Sequence, residues 1–141
     1  MSEQNKQVAL KFIEAIGASD GAAAGSCLGP EAVTVTKGFG RFTGVRQAEA
    51  MIGMIGAFDH LVPGGLRPAI KSVTAEADRV AVEFEGNAVT TEGQPYCNQY
   101  VMVFTFREGK ILQVNEYFCT VLADRVLWPL VEKMQQEASA R

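Results

Sequence analysis

The sequence predicts an α+β fold, and three observations carry that prediction. Apolar residues recur at helical spacing up to about residue 60, and Pro63-Gly64-Gly65 then breaks the chain. From there to about residue 120 apolar and polar residues alternate, as they do in strands with one buried face. Helices followed by strands is the α+β order.

In the first helix, expected over 4–16, Val8, Phe12 and Ile16 form an apolar stripe with Ala9 and Ile13 beside it. Gly17 stops it, and Ser19-Asp20-Gly21 offers a cap for a short second helix over 20–28, which ends at Gly29-Pro30. Val33-Thr34-Val35-Thr36 alternates as a strand. The segment KGFGRFTG that follows, 37–44, lacks both the Gly-Lys-Ser/Thr ending of a phosphate loop and the G-x-G-x-x-G order, so it reads as a turn. Thr43 can cap a third helix over 44–58, in which Ala48, Met51, Ile52 and Ile55 make one stripe. The flexible thioether of Met51 suits the wall of an irregular apolar cavity. Strands are expected over 66–76, 79–91, 97–107 and 110–120, separated by turn signals at Ala77-Asp78, Glu92-Gly93 and Glu108-Gly109. They describe a four-stranded antiparallel meander. Trp128-Pro129 opens a last helix, since proline is tolerated in the first helical turn.

Composition narrows the function. A chain of 141 residues that is 48% hydrophobic can bury one core, so a single domain over 1–141 is expected. A net charge of −3 without a Lys/Arg cluster argues against nucleic acid as a partner. The polar N-terminus and the lack of any long apolar run predict no membrane segment and a cytoplasmic protein. Three cysteines without a C-x-x-C, and a lone histidine, point to a reducing compartment and away from a zinc site. Ser26 and Ser72 lack a nucleophile-elbow setting, and His60 beside Asp59 reads as a loop residue.

The register of the last hairpin can be tested by parity. A three-residue loop, Arg107-Glu108-Gly109, would pair Phe104 with Leu112, Met102 with Val114, Tyr100 with Glu116 and Asn98 with Phe118, all on one face. A two-residue turn would set inward positions against outward ones. The longer loop is therefore expected, with Val101, Val103, Ile111 and Tyr117 outward and Cys97 opposite Cys119 in a packed outer face. Glu116 then stands among Leu112, Val114 and Phe118 on the inner face, where a carboxylate needs a reason. For the preceding strand, periodicity alone turns Val82 and Phe84 inward and leaves Glu83 and Glu85 in water.

The pattern G-x-P-Y-x-N-x-Y-x-x-x-F, carried by Gly93, Pro95, Tyr96, Asn98, Tyr100 and Phe104 and followed by Gly109-Lys110-Ile111 and Glu116-Tyr117, resembles the SnoaL-like, ketosteroid-isomerase-like superfamily. The resemblance spans about residues 5–130. It implies a curved antiparallel sheet wrapped as a cone around the N-terminal helices, one apolar pocket, and a homodimer joined through the outer sheet face. In its last strands the chain is similar to limonene epoxide hydrolases. That similarity turns Glu85 inward, against periodicity, and implies Glu116 and Glu85 as the catalytic acids with wall residues at Asn87, Asn98, Tyr100 and Phe118; Tyr100, opposite Glu116 in the expected register, completes the catalytic set as a hydrogen-bond donor.

Two carboxyls in one apolar pocket would split into a general acid and a general base. The expected substrate-binding residues are Asn98, Asn87 and Phe118 from this similarity, Met102 and Val114 from the inward strand rows, and Met51 and Ile55 from the apolar helix stripe. The set departs from the family in several places. The hydrolase arginine would fall at Glu83, the isomerase acids would fall near Val35 or Thr36 and near Val101 or Met102, and Cys119 replaces a frequent aspartate. The expected function is acid/base chemistry without a cofactor (isomerisation, ring closure, dehydration or epoxide hydration) on a small, largely apolar, oxygenated molecule. The alternative is a non-catalytic binding domain of the same fold.

Overall fold

The computed structural model describes residues 2–140, beginning with helix α1, Ser2–Gly17. Its stripe is the expected one: Ala9, Phe12 and Ile13 are fully buried, and Phe12 meets Phe104 edge to face at 5.8 Å. Burial of Phe12 and Ile13 stabilises the fold by about 1.5–3 kcal/mol each. Helix α2, Gly21–Gly25, is capped at its start by the Asp20 carboxylate, which accepts from the Ala23 amide at 3.0 Å, and at its end by the Ser26 hydroxyl, which donates to the Ala23 carbonyl at 2.6 Å; it is shorter than expected because the chain enters a strand at Leu28.

Strand β1 runs from Leu28 to Thr36, and β2, Gly44–Gln47, pairs antiparallel with it. The helix expected over 44–58 therefore starts only at Ala48, as α3, Ala48–Ala57. The open edge of β1 offers residues 44–47 a hydrogen-bonded ladder, and a four-residue alternation is too short to announce it. A 3-10 turn, Phe58–His60, leads to Pro63-Gly64-Gly65, where the chain presses against the end of α1.

The remaining strands are β3 (Ala69–Glu76), β4 (Arg79–Glu85), β5 (Ala88–Val89), β6 (Pro95–Tyr96), β7 (Gln99–Arg107) and β8 (Lys110–Phe118). The strand expected over 79–91 is interrupted at Gly86-Asn87, and β5 and β6 form a separate small hairpin. The meander is embedded in a six-stranded, open, curved sheet of order β2-β1-β8-β7-β4-β3, in which only β1 and β8 run parallel. This is the α+β cone architecture, left open at two edges. Helices α4, Thr120–Val126, and α5, Trp128–Ser139, close the chain, with Pro129 in the first turn of α5. Among the described residues no helix is long and apolar enough to cross a membrane.

The last hairpin corrects the expected register. Arg107 pairs with Lys110 across a two-residue turn whose Glu108 and Gly109 both have positive φ, 52° and 77°. Phe106 pairs with Ile111, and the next pair is Thr105 with Gln113, so Leu112 is an extra, bulged residue. The bulge resolves the parity conflict that had favoured a longer loop. It turns both Ile111, 0% exposed rather than outward, and Val114 into the core. Tyr100 consequently faces Phe118, and Met102 faces Glu116. Cys97 and Cys119, expected to be buried, are both exposed.

Candidate active site

Between the inner sheet face and helices α3, α4 and α5 lies a cavity of about 640 Å³. Its wall is largely apolar and includes Met51, Ile55, Phe58, Leu66, Phe118 and Trp128. Among the described residues Glu116 is its one carboxylate, placed there by the β8 bulge and by the parallel pairing that sets Thr36 of β1 beside it.

The surroundings of Glu116 act in opposite directions. Burial in the apolar wall raises its pKa from 4.5 to about 7, while the Thr36 hydroxyl, donating to Oε1 at 3.4 Å, and the Arg46 charge oppose the rise. Burial dominates because the hydrogen bond is long and Arg46 does not touch the carboxyl. Arg46 instead donates from Nη1 to the Thr36 hydroxyl at 3.2 Å and from Nη2 to the Phe42 carbonyl at 2.8 Å. The result is a carboxyl that is divided between acid and base forms at neutral pH.

Tyr100 lines the same cavity, its ring stacked on Phe84 at 4.8 Å and edge-on to Phe118 at 5.9 Å. Tyr96 lines it too, and its hydroxyl accepts from Asn98 Nδ2 at 2.9 Å. Burial holds both phenols above their ordinary pKa, so both keep their protons, and each senses the charge of Glu116. They are hydrogen-bond donors at the edge of an apolar space.

The structure separates the other expected site residues. Met51, Ile55 and Phe118 line the cavity; Met102 and Val114 are core residues behind the wall. The inward placement of Glu85 is corrected: β4 alternates so that Val80, Val82 and Phe84 are buried, and Glu85 turns outward to Lys71 at 3.8 Å. Periodicity was the better guide there, and the paired-carboxylate site does not form. Asn87 is exposed beyond the end of β4 and lies outside the cavity wall.

Asn98 is 1% exposed and is not a wall residue either. It accepts from the amides of Gln99, at 2.7 Å, and Cys119, at 3.2 Å, and donates to the Cys119 carbonyl at 3.0 Å as well as to Tyr96. It ties β7 to the start of α4. Asn98→Ala would leave several buried groups unpaired and should cost about 2–3 kcal/mol, read as a lower melting temperature with the Tyr96 phenol released.

Arg41, Phe42, Arg46, Tyr96 and Trp128 were not anticipated as wall residues. Arg46 sits in the four-residue β2, and Arg41 and Phe42 in a loop whose position depends on the Asp124 carboxylate of α4, which accepts from the Arg41 amide at 2.9 and 3.2 Å. Only Tyr96, within the P-Y-x-N pattern, carried a usable signal. Among the described residues no three or more His, Cys, Asp or Glu gather as they would around a metal ion.

A family model described as a SnoaL-like domain matches residues 9–114. No curated protein matches the chain in sequence. Solved structures share the fold. PrhC from Penicillium brasilianum superposes with a TM-score of 0.81 at 17% identity, covering 94% of this chain and 91% of its own. A protein from Bacillus subtilis provisionally labelled an isomerase gives 0.76 at 19% identity, with coverage of 88% and 92%. One from Jannaschia, provisionally labelled a SnoaL-like polyketide cyclase, gives 0.72 at 16%, with coverage of 89% and 92%.

Proposed function

The chain belongs to the SnoaL-like domain family, and from that premise we propose that it is an enzyme that moves a proton on a largely apolar, carbonyl-bearing molecule. The observation that supports this most is the Glu116 carboxyl, set in an apolar cavity wall with its pKa near 7. The carboxylate form would take a proton from the carbon next to the carbonyl. The C–H electron pair would pass into the carbonyl, and the oxyanion would accept a hydrogen bond from the Tyr100 or Tyr96 hydroxyl. Return of the proton at another carbon gives isomerisation; attack of the enolate carbon on a second carbonyl gives ring closure. With Glu85 outside the cavity, epoxide hydration, which needs an acid and a base together, fits less well.

The test requires no knowledge of the product. Incubation with a panel of bicyclic ketones in D2O should show deuterium entering next to the carbonyl, followed by NMR, and Glu116→Gln should slow that exchange about 10²–10⁴-fold. Exchange by the wild type no faster than buffer would leave the binding-domain reading in its place.

The homodimer belongs to the same proposal. The outer sheet face exposes Val101, 36%, and its cross-strand partner Tyr117, 45%, with Val103 alongside. Tyr117→Lys should convert a dimer into a monomer in sedimentation experiments; a monomeric wild type at tens of micromolar would refute this interface.

A further inference from the structure

The cavity wall of an acidic protein is cationic. It contains two arginines, Arg41 and Arg46, against one carboxylate, Glu116, although the chain as a whole carries −3. Neither guanidinium forms an ion pair among the described residues. The Asp124 carboxylate accepts from the Arg41 backbone amide and holds the loop in place, without pairing with the guanidinium. That guanidinium lies over the Trp128 ring, 5.6 Å from its centroid, and Trp128 meets Phe42 edge to face at 5.6 Å.

Arg46 donates two of its N–H groups, to Thr36 and Phe42. A guanidinium fork has five, and a cation at an apolar wall is stabilised by an anion that completes its hydrogen bonds. Arg41 is exposed where it borders the cavity, and Arg46 is half-buried beside Glu116. The charges are therefore graded from the rim inward along a wall of aromatic rings.

We infer that the natural ligand is an amphipathic carboxylic acid whose apolar body fills the cavity while its carboxylate is held at the rim by Arg41, in the field of Arg46. This deepens the function proposed above and rests on the same cavity. An anchored carboxylate fixes the ligand end to end and orients the carbonyl carbon chain toward Glu116, so Arg41 selects among ligands by charge and position.

The test compares pyrenebutyrate with pyrenebutyramide, which share an apolar body and differ in charge, by fluorescence titration at low salt. The wild type should bind the acid at least roughly tenfold more tightly than the amide, the size of one charge-assisted hydrogen-bonded contact. In Arg41→Gln that ratio should fall below roughly threefold, and in Arg41→Lys it should be partly retained. Binding of the amide in each variant reports that the cavity is intact. Equal affinity of the wild type for acid and amide would overturn the inference and leave the apolar cavity and its proton chemistry standing. No binding of either probe would overturn both.

Discussion

Glu116→Gln will melt at a higher temperature than the wild type at pH 8, by roughly 3–9 °C, and the difference will shrink as pH falls and vanish below about 4.5. The sign follows from linkage. The folded-state pKa of Glu116, about 7, lies above its ordinary 4.5, so between these values the folded protein binds a proton that the unfolded chain has released. Stability of the wild type therefore falls as pH rises through this window, and above about pH 7 the ionised carboxylate carries its full cost of burial.

Because the carboxyl opens onto a cavity that can hold water, that cost is set at about 1–3 kcal/mol, below what the whole shift would give. Glutamine keeps the shape and an acceptor for Thr36 but cannot ionise, so its stability should lack this slope. The same titration should appear in activity with the opposite sense. Deuterium exchange by the wild type should rise with pH to a plateau above about 7, because the base form does the work. A variant that melts lower at every pH would identify Glu116 as a structural carboxylate and remove the main support for proton transfer.

Gly65→Ala should be the most destabilising single-methyl change in the chain. Gly65 has φ +80°, and a Cβ built on it would lie 1.6 Å from the Gly17 carbonyl oxygen at the end of α1. Both partners are backbone, so neither can rotate away. Left-handed strain and the displacement of α1 from residues 62–66 together should cost about 2–5 kcal/mol, a drop of roughly 6–20 °C in melting temperature. The loss should extend to the cavity, since Ile16 and Leu66 line it from either side of this contact. Gly93→Ala is the control: its φ of +78° is similar, but nothing lies within 4 Å of the added methyl, and only the backbone strain of about 1 kcal/mol should appear. Equal losses at the two positions would show that the close approach of residue 65 to α1 contributes nothing.

The α+β class, the apolar face of α1, the alternating strands and the inward position of Glu116 were all determined by the sequence itself. Each follows from a local periodicity of 3.6 or 2, which burial of one face enforces and which in β8 runs unbroken from Val114 through Glu116 to Phe118. The P-Y-x-N-x-Y pattern likewise carried the family. Tertiary structure alone decided the bulge at Leu112, which moved Met102 and not Tyr100 opposite Glu116. It also decided the β2 strand that brought Arg46 to the cavity and the Asp124 contact that fixed Arg41. The facing of Glu85 shows the division most clearly. Its alternation with Val82 and Phe84 was legible and correct, whereas likeness to a distant hydrolase placed it wrongly, because a side chain's facing is set by this chain's own apolar row. The pKa of Glu116 near 7 could not be read at all: it depends on how much water six strands and three helices exclude from one oxygen pair, and no local pattern encodes that.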